Sequence, residues 1–151
     1  MVLSVMILIY GRIAFAQTNA WEIFKSFQGR WSILADGKLL PIEMIYEVGS
    51  KGSIVTEHFG KELSVFYVDG TTLLMTHFCN AANQPRLRLK QSSPPGRYEF
   101  EMFDITNLPS PSADHVQRII YKLRDERHLE LEIVWKHGDS ESSEKYTLTR
   151  I

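Results

Sequence analysis

The stretch HLELEIVWKHGDSESSEKYTLTR, residues 128–150, repeats with a period of two. Leu129, Leu131, Ile133 and Trp135 fall on one side, opposed by Glu130, Glu132 and Lys136. Such alternation marks a strand with one dry and one wet face. Gly138-Asp139 then supplies turn chemistry, and the return segment places Tyr146, Leu148 and Arg150 together. The stretch therefore predicts a hairpin whose apolar side faces a core.

The same pattern extends back along the chain. Gln117, Ile119, Tyr121 and Leu123 oppose Arg118, Lys122 and Arg124, while Tyr98, Phe100 and Met102 oppose Glu99 and Glu101. Leu87 and Leu89 alternate with Arg86, Arg88 and Lys90; Leu63, Val65 and Tyr67 share a side, as do Ile42, Met44, Tyr46 and Val48. Ile54 to Phe59 gives no clear face, because Val55, Glu57 and Phe59 lie on one side.

Strands are expected near 31–35, 41–48, 53–59, 63–68, 72–78, 86–91, 97–103, 115–124, 128–136 and 143–150. Turns are expected at Asp36-Gly37, Gly49, Asp69-Gly70, Pro95-Gly96 and Gly138-Asp139. Asn19 can cap a short helix carrying Trp21, Glu22, Phe24 and Phe27, stopped by Gly29. Consecutive one-sided strands with short connections predict an all-β fold, a single up-and-down antiparallel barrel of ten strands with a short N-terminal helix. The irregular segment Asp104 to Asp114, with Pro109 and Pro111, is expected to be a rim loop or lid.

Residues 1–16 read as a signal peptide: an apolar run from Val2 to Tyr10, a break at Gly11-Arg12, and Ala14-Phe15-Ala16 before Gln17. Export to a periplasm or medium follows, with residues 17–151 as one domain. The apolar run is too short to span a bilayer, so no stable membrane insertion of the mature domain is expected. A net charge of −1 provides no basic field for nucleic acid. The single cysteine, Cys79, has no partner in the chain and must be buried, ligating, reactive or paired between chains. Esterase, zinc-protease and phosphate-loop motifs are absent from the sequence.

A helix, Gly29-Arg30-Trp31 opening the first strand, up-and-down strands and Arg150 ending the last one resemble the calycin plan of lipocalins and fatty-acid-binding proteins. The resemblance implies a closed barrel end where Arg150 covers Trp31 in a cation–π pair, with Gly29 beside it. HFCNAANQPR, residues 77–86, is similar to a run in small bacterial exported lipocalin-like proteins of unassigned function. The opening GRWSILA differs from the Gly-x-Trp-x-Gly-x-Gly of the haem-binding nitrobindin group, which counts against haem.

The chemically able side chains concentrate in residues 77–89. Alternation places Leu73, Met75, His77 and Cys79 on one face, with i and i+2 Cα atoms about 6.6 Å apart. That spacing is long for a Cys–His nucleophile pair and workable for two ligands of one metal. His115 also reads as inward-facing, so a His77/Cys79/His115 metal or haem site is one expectation. Asn83 and Gln84 either brace the loop or reach a ligand, and Arg86 turns inward only if the loop shifts the register.

The leading expectation is an exported barrel that binds a small hydrophobic or amphipathic molecule. Tyr46, Tyr67, Met75, His77, Cys79, Phe100, His115, Tyr121 and Trp135 would line it, with Asn83, Gln84 and Arg86 at the entrance. A lipid-directed enzyme using a pocket histidine and a fully packed barrel are the alternatives. The sequence identifies no cofactor.

Overall fold

The computed structural model describes residues 20–91 and 94–151. The expected leader at 1–16 and the Asn19 cap lie outside the described residues. Helix α1, described over residues 20–26, precedes β1 (Gly29–Ala35), β2 (Lys38–Gly49), β3 (Ile54–Phe59), β4 (Glu62–Asp69) and β5 (Thr72–Phe78). The chain continues through β6 (Gln84–Leu89), β7 (Arg97–Thr106), β8 (His115–Leu123), β9 (His128–His137) and β10 (Ser140–Arg150). Each strand pairs antiparallel with its sequence neighbours, and β10 closes on β1 from Trp31↔Arg150 to Ala35↔Tyr146. The result is a closed ten-stranded barrel without a free sheet edge.

Turn chemistry enforces this path. Asp36 and Gly37 both have positive φ, 49° and 72°, which matches the type I′ hairpin turn whose twist suits the flanking strands. At the barrel end where β1 begins and β10 finishes, Gly29 adopts φ 132° and a Cβ there would meet Arg150 Nη1 at 3.4 Å. Arg150 stacks its guanidinium 4.4 Å from the Trp31 ring centroid and donates to the carbonyls of Gln28, Ser26 and Glu126. One side chain thus ties the last strand to the exit of α1.

The half of the barrel nearest α1 is filled with rings. Phe24 packs 4.8 Å from Phe66, 5.2 Å from Tyr121 and 5.4 Å from Phe100, measured between ring centroids. Trp31 donates through Nε1 to the Phe27 carbonyl at 2.9 Å and, like Phe24, Phe27, Phe66 and Phe100, is buried. Burying a Phe side chain contributes roughly 1.5–3 kcal/mol, so the apolar face of α1 holds it in place. The opposite end carries the turns at 36–37, 60–61, 79–83 and 138–139 and the loop 107–114. We call that end the mouth.

Two face assignments differ from expectation. On β4 the inward set is Ser64 and Phe66, while Leu63, Val65 and Tyr67 point outward. The cause is register: Ser64 pairs with Glu57 and His77, and Phe66 with Val55 and Met75, all buried. Tyr67 is therefore not an interior lining residue; its hydroxyl lies 3.3 Å from Thr76 on the outer wall. On β8 the register shifts between Val116 and Arg118, leaving Gln117 as a bulge. Val116 consequently takes the inward place opposite Trp135, whereas His115 aligns with the outward Lys136.

Candidate functional site at the barrel mouth

The polar chemistry of the interior starts at Glu57. It sits inward on β3 between Val55 and Phe59, and it is 5% exposed. Tyr46 on β2 and Tyr121 on β8 donate their hydroxyls to Oε2 at 2.6 and 2.8 Å, and Ser64 on β4 donates to Oε1 at 3.0 Å. Burial raises the Glu57 carboxyl pKa, while the three donated bonds pull it down. Burial also raises both phenols well above their ordinary value, so they hold their protons and serve as donors.

Ser64 passes this order on to His77. Its only proton goes to Glu57, so the 3.0 Å contact between Ser64 Oγ and His77 Nδ1 requires the ring to donate from Nδ1. Burial lowers the His77 pKa to about 4, which keeps the ring neutral near pH 7. Nε2 then carries a lone pair. That atom is buried and has no hydrogen-bond partner.

The surroundings of Nε2 come from the strand ends at the mouth. Glu62 Oε1, from the first residue of β4, lies 4.0 Å from it. The same oxygen accepts from Asn80 N at 3.1 Å and from Cys79 Sγ at 3.8 Å. Cys79 continues the inward face of β5 into a tight turn, in which Ala82 N donates to Cys79 O and Ala81 N to Cys79 Sγ. Burial pushes the Cys79 thiol up to about 11, with the nearby carboxylates of Glu62 and Glu144 adding to the rise. Glu62, His77 and Cys79 offer one ligand atom each, and these three atoms lie within 4.8 Å of one another.

Tyr46, Met75, His77, Cys79, Phe100 and Tyr121 are buried on inward positions, as the sequence reading placed them. Trp135 is half-buried on the inward face of β9, stacked on His137 with ring centroids 6.4 Å apart, and its buried Nε1 has no partner. Asn83 is buried too. Its Nδ2 donates to the Asp114 carbonyl at 2.9 Å, tying the 79–83 turn to the 107–114 loop, and its Oδ1 is unpartnered.

The remaining expected site residues do other things. Gln84 accepts from Thr106 and Asn107 at 2.8 and 3.0 Å, so it braces the loop instead of reaching inside. Arg86 stays on the outer wall in an ion pair with Asp104, because β6 keeps its alternation with Pro85, Leu87 and Leu89 inward. His115 does not join His77 and Cys79; its Nδ1 bonds the Ala113 carbonyl at 2.8 Å, and Glu62 occupies the third corner instead.

Glu57, Ser64 and Glu62 were missed by the sequence reading. Glu57 alone left a signal, as the charged residue that shared a side with Val55 and Phe59. Ser64 and Glu62 left none, since their apolar neighbours Leu63, Val65 and Tyr67 took the inward assignment.

A groove of about 320 Å³ also runs along the outer wall, where Leu34 and Ile120 are flanked by Lys122, Glu130 and Lys145. None of the unpartnered buried polar atoms of the described residues belongs to it. No family model matches the chain, and no curated protein matches it either. Among the described residues, no helix is long and apolar enough to cross a membrane.

Proposed function

We propose that the protein is an exported lipocalin-like barrel that binds a small amphipathic molecule in its mouth half. The observation that carries this reading is the set of buried polar atoms without partners at that end, His77 Nε2, Asn83 Oδ1 and Trp135 Nε1, with Arg86 Nε as a fourth on the outer wall. Leaving such an atom unpaired costs about 1–3 kcal/mol, so a ligand group that pairs with it gains that amount. Half-buried apolar side chains in the same half, Phe59, Met102 and Tyr146, provide contact for a ligand's apolar body. The ring-filled half below provides a rigid floor.

The helix-then-strands plan, the ten-strand closure and the Arg150–Trp31 stack favour the lipocalin and fatty-acid-binding group. Export rests on the leader-like residues 1–16. Fold likeness alone does not deliver a ligand, so the reading depends on the mouth chemistry.

The test is fluorescence titration of metal-free protein with a panel of amphipathic probes, a fatty acid and a naphthalene sulfonate dye among them. Saturable quenching that disappears in Trp135→Phe is expected. A flat response across the panel overturns the reading.

A further inference from the structure

We propose that Glu62 Oε1, His77 Nε2 and Cys79 Sγ form a binding site for a single zinc-like divalent metal ion at the barrel mouth. The three atoms come from the start of β4, the end of β5 and the turn that follows, and they already lie within 4.8 Å of one another. Around zinc at ordinary bond lengths, ligand atoms stand about 3.4–3.6 Å apart. The 4.0 Å His77–Glu62 and 3.8 Å Cys79–Glu62 separations close to that range with shifts of a few tenths of an ångström, and the His77–Cys79 pair, within 4.8 Å, closes with a shift of no more than about 1.2 Å, a rotamer adjustment of Cys79 at the start of its turn.

The orphaned nitrogen makes this a built site rather than a chance cluster. Glu57 holds Ser64, and Ser64 holds the Nδ1–H of His77, so the lone pair on Nε2 points from a buried, 3% exposed ring. A ligating histidine is oriented in this way when its other ring nitrogen donates to a carboxylate or its relay. Here the relay is anchored by Tyr46 from the adjacent strand β2 and by Tyr121 from β8 across the barrel.

The donor set fixes the class of ion. A thiolate, an imidazole and one carboxylate suit zinc or another borderline-soft ion and disfavour magnesium and calcium, which take oxygen ligands. On binding, the Sγ–H bond of Cys79 breaks, the proton leaves for solvent and the sulfur pair forms the metal bond. Three protein ligands leave a fourth position open, the arrangement of zinc sites that hold water or an outside ligand. The site stands whether or not the barrel takes an organic molecule, although a ligand of the proposed kind could fill that position.

The full chain, stripped with a chelator and checked by circular dichroism, is titrated with Zn²⁺ alone and, separately, with Co²⁺ alone. One equivalent of Zn²⁺ is expected, with proton release. Co²⁺ is expected to give a thiolate-to-metal charge-transfer band and intense tetrahedral d–d bands. The charge-transfer band is absent in Cys79→Ser, and Zn²⁺ affinity falls at least tenfold in Cys79→Ser, Glu62→Gln and His77→Gln. Ser64→Ala, which keeps all three ligands, weakens binding about 10–100-fold by freeing the ring. Asp125→Asn, at the opposite end, leaves binding unchanged.

A Co²⁺ complex without a thiolate band, or Zn²⁺ affinity unaltered in a folded Cys79→Ser protein, overturns the proposal. Amphipathic probe binding is measured on the stripped protein, so failure of one reading is seen apart from failure of the other.

Discussion

Ser64 Oγ lies 3.0 Å from His77 Nδ1 while giving its own proton to Glu57. A single hydroxyl therefore converts a buried carboxylate on β3 into a fixed imidazole tautomer on β5. The tautomer is directly observable: nitrogen-15 spectra of the imidazole should show the proton on Nδ1 in the metal-free protein. In Ser64→Ala that preference should disappear. An Nε2–H tautomer in the parent protein would contradict the direction of the relay.

Tyr46 and Tyr121 converge on the same Glu57 oxygen from β2 and β8, strands separated across the barrel. Each bond is charge-assisted and buried, so Tyr46→Phe should cost about 2 kcal/mol. Urea unfolding at neutral pH should show this as a lower midpoint at unchanged m-value. The double change with Tyr121→Phe should cost less than twice as much, because both remove donors from one acceptor.

Glu57 also sets a pH dependence. Its folded pKa is raised above the ordinary 4.5 by burial, with Glu62 adding to the rise and Tyr46, Tyr121 and Ser64 opposing it. The native state thus holds this proton more tightly than the unfolded chain. The contribution is fully present below about pH 4.5 and is lost as pH rises through the raised folded value. Urea unfolding across that window should show a falling contribution, reduced in Glu57→Gln. An unchanged slope in the variant would assign the dependence elsewhere.

Phe24 meets Phe66, Phe100 and Tyr121 from α1. Phe24→Ala should destabilise the fold by roughly 3–5 kcal/mol. Hydrogen exchange should show residues 20–26 losing protection before the strands do.

At the same end, Arg150 satisfies three backbone carbonyls while covering Trp31. Arg150→Lys keeps the charge and loses the planar fork, so a loss of about 1–3 kcal/mol is expected. Trp31 emission should move to longer wavelength as its cover loosens. A lysine variant of unchanged stability would show that charge alone is sufficient.

The sequence by itself determined the ten strands, their turns and the closed barrel, because alternation and turn chemistry are local properties. Asp36-Gly37 and the period of 128–137 need no distant partner to be read. The inward placing of His77 and Cys79 followed from the same period, carried one residue past β5. Only the tertiary structure decided which face of β4 looks inward, because Leu63, Val65 and Tyr67 are the more apolar set and cross-strand register placed Ser64 and Phe66 inside. The bulge at Gln117, which takes His115 out of the inward row while leaving it buried at the rim, is likewise a property of strand pairing. Glu57 meets Tyr121 across 64 positions of chain, and Glu62 meets Cys79 across 17. No periodicity encodes such meetings. They exist because a closed sheet brings strands remote in sequence to face one another across one small interior, where a buried carboxylate must find its donors.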